Sequence, residues 1–221
     1  MTVEADLAAL LEAGHSRVEA TRALIERIAS EARLATTVVL VEGLSDQIAL
    51  EVLAERLGRQ MRAEGTAIVP VGGATNFARC LAMFGPPGGD ARLAGLYDSP
   101  VEGRIRRSLA AAGFAGRIGH GDADGGLEAY GFYRCVTDLE DEMIRTLGAS
   151  RVEEIVDAEG ELRSFRRLQA MPHHRQRSLG DQLHRFIGAH SGRKYRYARL
   201  LARELDPDDL PAPLAGLLDH L

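Results

Sequence analysis

The sequence predicts an α/β protein with a mostly parallel four-stranded sheet flanked by helices. Three observations carry this. Short apolar runs at 36–41, 67–71, 93–97 and 131–136 read as strands. Segments of helical period lie between them, which gives the order βαβαβαβ and right-handed crossovers. Helical patterns without strands occupy the two flanks. The expected organisation is therefore a helical segment at 1–35, an α/β domain at 36–150 and a helical region at 151–221.

The elements follow in order. Residues 3–13 place Leu7, Leu10 and Leu11 on one face, and 17–33 place Val18, Leu24 and Ile28 near one face. Gly14 separates the two helices, and Ser16 suits the N-cap of the second. "TTVVLV" (36–41) is a continuous apolar run, as expected for a strand covered on both faces. Residues 45–58 read as a helix with Ile48, Val52 and Leu53 together. "AIVPV" (67–71) is a strand whose Pro70 marks a sheet edge or a strand end. A turn at Gly72-Gly73 leads to a helix near 75–84, and 85–90 is a loop. "LAGLY" (93–97) ends at Asp98, before a helix at 101–112. Residues 116–126 are glycine-rich and expected to be mobile. "GFYRCV" (131–136) runs into "TDLEDEM". Further helices are expected near 151–157, 161–170, 178–188, 191–205 and 212–220.

Composition narrows the function. The chain has 221 residues, 45% of them hydrophobic, enough for one sizeable core. No apolar run reaches the roughly 18 residues that span a bilayer. Cys80 and Cys135 lack metal-ligand spacing and read as reduced core thiols of a cytoplasmic protein. Net charge is −5, yet the charge is uneven. Between Leu162 and Arg199 lie Arg163, Arg166, Arg167, Arg175, Arg177, Arg185, Arg193, Lys194, Arg196 and Arg199, with Asp181 as the one acid. A basic segment behind an acidic domain suits a polyanionic partner, or simply a solvated helical face. Lys194 is the only lysine among 27 Lys plus Arg. An arginine-biased chain that keeps one lysine points to a place where a compact ammonium serves and a planar guanidinium does not.

The strand ends carry the chemistry. Glu42, Asp98 and the Asp138/Glu140 pair each follow the carboxyl end of a predicted strand, and Asp46 lies one helical turn after Glu42. Loops after parallel strands converge on one rim. Acids gathered there repel one another unless cations are present. Oxygen ligands without His or Cys select Mg²⁺ or Mn²⁺. Each acid also has a plain structural role open to it. Glu42 and Asp46 suit a helix N-terminus, Asp98 a turn, Asp138 an N-cap, and Asp141 and Glu142 a solvated first turn.

"VVLVEGLSD", the Gly72-Gly73 turn, "LAGLYD" and "DLEDE" together resemble the TOPRIM (topoisomerase–primase) domain, in the version found in overcoming-lysogenisation-defect (OLD) nucleases. "GRKYRYARLLAREL" resembles the lysine-bearing helical segment of that family, so the likeness spans about residues 36–206. The resemblance implies a Rossmann-like fold and metal-dependent phosphodiester hydrolysis of DNA with one or two Mg²⁺ or Mn²⁺ ions. By position it implies Glu42, Asp46, Asp98 and Glu140 as metal-site acids, with Glu42 also catalytic, and Lys194 as the catalytic lysine. Gly43, Gly72 and Gly73 would shape the turns at the site. Arg163, Arg166, Arg167, Arg193 and Arg196 would hold flanking phosphates without reading sequence.

The family's Asp-x-Asp after the third strand is here "DSP", with Pro100 in place of the second acid. Glu102, one turn on, is the candidate substitute, and Asp138 is a further candidate metal ligand. No GxxxxGK[ST] loop occurs, so no ATP site is expected, and a separate ATPase partner and a homodimer are. A TOPRIM module that binds DNA without turnover, a nucleotidyl or phosphoryl transferase, and a regulatory subunit are the other readings.

Overall fold

The computed structural model describes residues 3–73, 76–85, 89–113 and 126–221. The glycine-rich stretch from 116 lies outside these residues except for Gly126, and of the 85–90 loop only the ends are described.

Two helices come first, α1 (Val3–Glu12) and α2 (Arg17–Glu31). Gly14 separates them at φ 88°, and Ser16 caps α2 in a reciprocal box with Glu19. The buried face of α2 is Ala20, Leu24 and Ile28. Val18, expected on that face, is 79% exposed, because six residues from Leu24 it falls outside the 3.6-residue stripe.

The sheet consists of β1 (Thr37–Val41), β2 (Thr66–Pro70), β3 (Arg92–Asp98) and β4 (Phe132–Cys135). All pairings are parallel, in the order β2-β1-β3-β4. Every residue of β1 is buried, as its continuous apolar run requires. Pro70 ends β2 on the sheet edge, where its missing N–H costs no ladder bond. The crossover helices are α3 (Leu44–Arg56), α4 (Phe77–Phe84) and α5 (Glu102–Ala111).

One position in the sheet admits glycine alone. A Cβ at Gly95 would lie 2.3 Å from the Leu40 carbonyl oxygen and 3.1 Å from the Phe132 ring. Backbone at that distance cannot yield as a side chain would. Gly95→Ala is expected to destabilise the protein by about 3 kcal/mol, a fall in Tm of roughly 6–12 °C for a domain of this size. A thermal melt within 2 °C of wild type, on the order of 0.5–1 kcal/mol, would show that the strands can part at no cost.

After β4 the chain is helical: α6 (Leu139–Leu147), α7 (Ala149–Ala158), α8 (Leu162–Ala170), α9 (Leu179–Ile187), α10 (Ser191–Glu204) and α11 (Ala212–His220). The helix at 139–147 answers only to the N-cap and first-turn reading of Asp138, Asp141 and Glu142, since no helix range was expected there. Its signature is Asp138, whose Oδ1 accepts from the Asp141 N–H at 2.9 Å, followed by three first-turn acids. Of those acids Glu142 is not solvated as expected. It is 5% exposed, accepts from the Val136 N–H at 2.7 Å and pairs with Arg145.

Helix α10 packs along α3 and presents Tyr197, Ala198, Leu201 and Ala202 to the interior. The two alanines permit close approach. The Arg56 guanidinium donates to the carbonyls of Ala202 and Leu205, satisfying the otherwise open end of α10. The buried core runs without a break from Val3 to Leu218. Cys80 and Cys135 are free and buried within it, and burial raises both thiols.

Candidate active site

Three parallel strands end on one rim, and each delivers an acid there. Glu42 follows β1, Asp98 ends β3, and Glu140 sits in the first turn of α6 after β4. The β2 end supplies the Gly72-Gly73 turn. Both glycines have positive φ, 70° and 105°, and their N–H groups donate to the Glu42 carbonyl at 3.1 and 3.3 Å. That contact fixes the backbone on which Glu42 stands. Gly43 has an ordinary extended backbone. It contributes its N–H, which donates to Asp46 Oδ2 at 2.8 Å and holds Asp46 at the N-terminus of α3.

The acids sense one another. Burial first, then the hydrogen bond and charge of Glu42, pushes Asp98 up to about 9. Burial and the charges of Glu140 and Glu42 push Asp46 up to about 7, against Lys194 and the Gly43 N–H. Glu140 is 2% exposed, and burial together with Asp138 raises it against the pull of Lys194. The Lys194 ammonium lies 3.2 Å from Glu140 Oε2. This is an ion pair rather than an aligned hydrogen bond, since neither Glu140 oxygen receives a well-directed donor. Burial alone would lower Lys194. Glu140, Asp46 and Asp138 outweigh it and hold Lys194 above the usual range, so it stays a cation.

Glu102, the candidate substitute for the missing second acid, and Asp138, the further candidate ligand, have partners of their own. Glu102 pairs with Arg106, one turn on in α5, at 3.1 Å and with Arg134 of β4 at 3.9 Å. Asp138 is the N-cap of α6, and its second oxygen meets His184 Nε2 at 2.7 Å. Burial would raise Asp138, but the His184 and Asp141 hydrogen bonds hold it below the usual carboxylate range. The same bond raises His184. His184 is the residue that sequence reasoning missed. Its position in α9, 46 residues from Asp138, carries no local signal of the contact. Pro100 sits in a single 3₁₀ turn, Ser99–Val101, where Ser99 Oγ donates to the Cys135 carbonyl at 3.1 Å and ties the β3 and β4 ends together.

The expected phosphate-binding arginines divide into two groups. Arg193 stacks 4.0 Å from the Phe186 ring centroid, pairs with Glu161 at 3.1 Å and donates to the Phe186 carbonyl. Arg196 pairs with Glu161 at 2.6 Å, and Arg166 with Glu153. These three staple the C-terminal helices together. Arg163 and Arg167 are exposed on α8 and form no ion pair with a described residue, as are Arg175, Arg177 and Arg185.

A family profile described as the overcoming lysogenization defect protein-like TOPRIM domain matches residues 34–88. The C-terminal region of the Xanthomonas campestris pv. campestris OLD protein superposes with a TM-score of 0.64. It is 25% identical, over 84% of this chain and 91% of that one. The chain carries a TOPRIM domain resembling that of OLD. The C-terminal region of the Burkholderia pseudomallei OLD protein shares the fold, with a TM-score of 0.59 and 22% identity over 84% and 96% of the two chains. No curated protein matches the sequence. TOPRIM domains act on nucleic acids and generally use divalent metals, and the donor set of this TOPRIM rim suits such an ion. All its candidate ligands are carboxylate oxygens, and Glu140 keeps two buried oxygens without directed donors. Among the described residues no three acids, histidines or cysteines form a ready-made ligand cage. Mg²⁺ needs no such cage, since it is commonly held by one or two carboxylates together with water and substrate phosphate. Among the described residues no helix is long and apolar enough to cross a membrane.

Proposed function

We propose that this protein hydrolyses phosphodiester bonds of DNA with one or two Mg²⁺ or Mn²⁺ ions at the TOPRIM rim. The observation that carries the reading is the pairing of Lys194 with buried Glu140 inside the acid rim formed by the ends of β1, β3 and β4. Glu42, Asp46, Asp98 and Glu140 are the residues that would hold the metal. The metal would supply an activated water and neutralise charge at phosphate oxygens. Lys194 stays protonated, so it is unsuited to act as a base. It serves as a compact cation facing a non-bridging phosphate oxygen. His184 and the Asp141 N–H hold Asp138, and with it the start of α6, where Glu140 stands. Exposed Arg163 and Arg167 would hold flanking phosphates, giving a salt-dependent and sequence-independent affinity. The partners proposed are DNA, a separate ATPase and a second copy of the chain, in the cytoplasm.

Pro100 favours one other reading, a TOPRIM module that binds DNA without turnover. Incubation with supercoiled plasmid and single strands in Mn²⁺, Mg²⁺ or EDTA separates the two. Metal-dependent nicking supports hydrolysis, whereas metal-dependent retention of intact plasmid supports the binding module.

Metal binding should also be visible as stability. The acids face one another only in the folded chain, so a bound ion adds its binding free energy to folding. At an ion concentration of 100 Kd this is about 2.7 kcal/mol, or roughly 5–11 °C in Tm. The rise should vanish in Glu42→Gln. An equal rise in both proteins would place the ion elsewhere.

A further inference from the structure

Between α8 and α9 the chain turns through residues 171–178, and this loop carries cations that the rim does not use. Exposed Arg175 and Arg177 lie in it, and exposed Arg185 follows on α9. None of the three forms an ion pair with a described residue. Asp181, the one acid between Leu162 and Arg199, accepts from the Ser178 hydroxyl at 2.7 Å instead.

The loop is held in one shape from beneath. Buried Gln182 donates through Nε2 to the carbonyls of His174 at 2.9 Å and Arg177 at 3.2 Å, and its Oε1 accepts from Gln169 Nε2 at 2.7 Å. The backbone also closes on itself. The N–H groups of His174 and Arg175 donate to the Met171 carbonyl at 2.9 and 3.1 Å, and that of Arg177 to the His174 carbonyl at 2.9 Å. A satisfied buried amide of this kind rigidifies what it bonds, here the backbone from which Arg175 and Arg177 project. His174 registers the field on this loop. Burial first, then the charges of Arg177, Arg185 and His173, lower it, and no acid counters them. Cations gathered without acids form a local positive surface on a chain whose net charge of −5 otherwise repels polyanions.

The surface adjoins the rim. The residue before Arg185 is His184, whose Nε2 meets Asp138 at 2.7 Å. We infer that Arg185, Arg177 and Arg175 form a track for the phosphates of the DNA strand that leaves the acid rim. Guanidinium matches phosphate with paired N–H donors, and such contacts position a strand without reading its bases. The track acts on affinity and leaves the chemical step to the rim. The inference rests on the reading of the rim as a DNA site, and it holds equally for a site that binds DNA without cutting it.

The test is fluorescence anisotropy of a labelled single-stranded oligonucleotide titrated with the full chain in EDTA at several salt concentrations. The loop variant combines Arg175→Gln, Arg177→Gln and Arg185→Gln. A control of equal charge combines Arg79→Gln, Arg104→Gln and Arg107→Gln, exposed arginines of α4 and α5 without a described ion pair. In the loop variant the slope of log K against log salt should fall by about two units, or about 0.7 per lost contact to a single strand, which is roughly 10²-fold in affinity near 0.1 M salt. The control should keep the wild-type slope. In Mn²⁺ the loop variant should raise the KM for DNA and keep the wild-type kcat. A wild-type slope in the loop variant would overturn the inference, and so would an equal fall in the control or slow cutting at saturating DNA. A polyglutamate peptide bound as tightly as the oligonucleotide would assign the surface to an acidic protein and overturn it too. Wild type that binds no DNA in EDTA or Mn²⁺ would overturn the inference and the DNA reading of the rim together, whereas tight binding without cutting would remove the hydrolytic reading alone and support the track if the loop variant shows its fall in slope.

Discussion

Glu42→Gln and Asp98→Asn are each expected to slow Mn²⁺-dependent plasmid cleavage by roughly 10³-fold, the consequence of removing several kcal/mol of Lewis-acid stabilisation at 1.4 kcal/mol per decade. The same substitutions should leave the metal-free protein as stable as wild type or more so. Asp98 and Glu42 share a hydrogen bond, and a neutral amide relieves the repulsion that otherwise forces a proton onto the pair. The sign of the pH effect follows. Asp98, at about 9, and Asp46, at about 7, lie above the ordinary aspartate value of 3.8. A carboxyl raised by folding contributes stability that is complete below its unfolded value and is lost as pH rises through the folded value. Metal-free wild type should therefore lose stability between about pH 4 and pH 9. The raised His184 acts in the same direction above its ordinary value of 6.5. Asp98→Asn should flatten this decline. Thermal melts across that range in EDTA, with and without the substitution, measure it. Cleavage at the wild-type rate by either variant, or a steeper loss of stability in Asp98→Asn, would remove these acids from the site.

Lys194→Arg is expected to bind DNA normally and cut it roughly 10²-fold more slowly, the usual scale for one lost stabilising donor. The ammonium, on a half-buried side chain of α10, sits 3.2 Å from buried Glu140, where a planar guanidinium has a different shape and hydration. A contact made in the transition state lowers the rate at saturating DNA. A contact made only with the ground-state backbone would instead weaken binding and lower the salt slope by about one unit. Lys194→Met adds a second readout. Removing the ammonium leaves Glu140 buried without its counter-charge, so the metal-free protein should lose a few kcal/mol of stability, and added Mn²⁺ should restore more of it than in wild type. Unchanged cutting by Lys194→Arg would return Lys194 to the merely structural ion pairs.

The fold was legible because its signals are local. The β1 run is apolar throughout, as a strand covered on both faces requires, and Pro70 marked a sheet edge or a strand end and is found at both. The acids after the strands were legible for a related reason. A parallel topology sends every strand end to one rim, so the positions of Glu42, Asp98 and Glu140 in the chain already implied their meeting. The start of helix α6 was legible only as one of two readings of Asp138 and the acids after it, and no helix range was assigned there. Those residues were weighed as ligands, and one side chain can be read both ways until its partners are known.

The residues alone determined which elements form, their parallel order, and which acids and which lysine compete for the rim. Hydrophobic period, chain connectivity and handedness act at short range or through topology, and both are written along the chain. Only the tertiary structure decided what each polar group faces. It turned Glu102 toward Arg106, gave Asp138 to His184, and committed Arg193 and Arg196 to Glu161. It set Lys194 against Glu140 by laying α10 along α3. A hydrogen bond or ion pair forms only where its two groups come within about 4 Å. Such contacts therefore depend on packing between segments far apart in sequence, and no local pattern carries that distance.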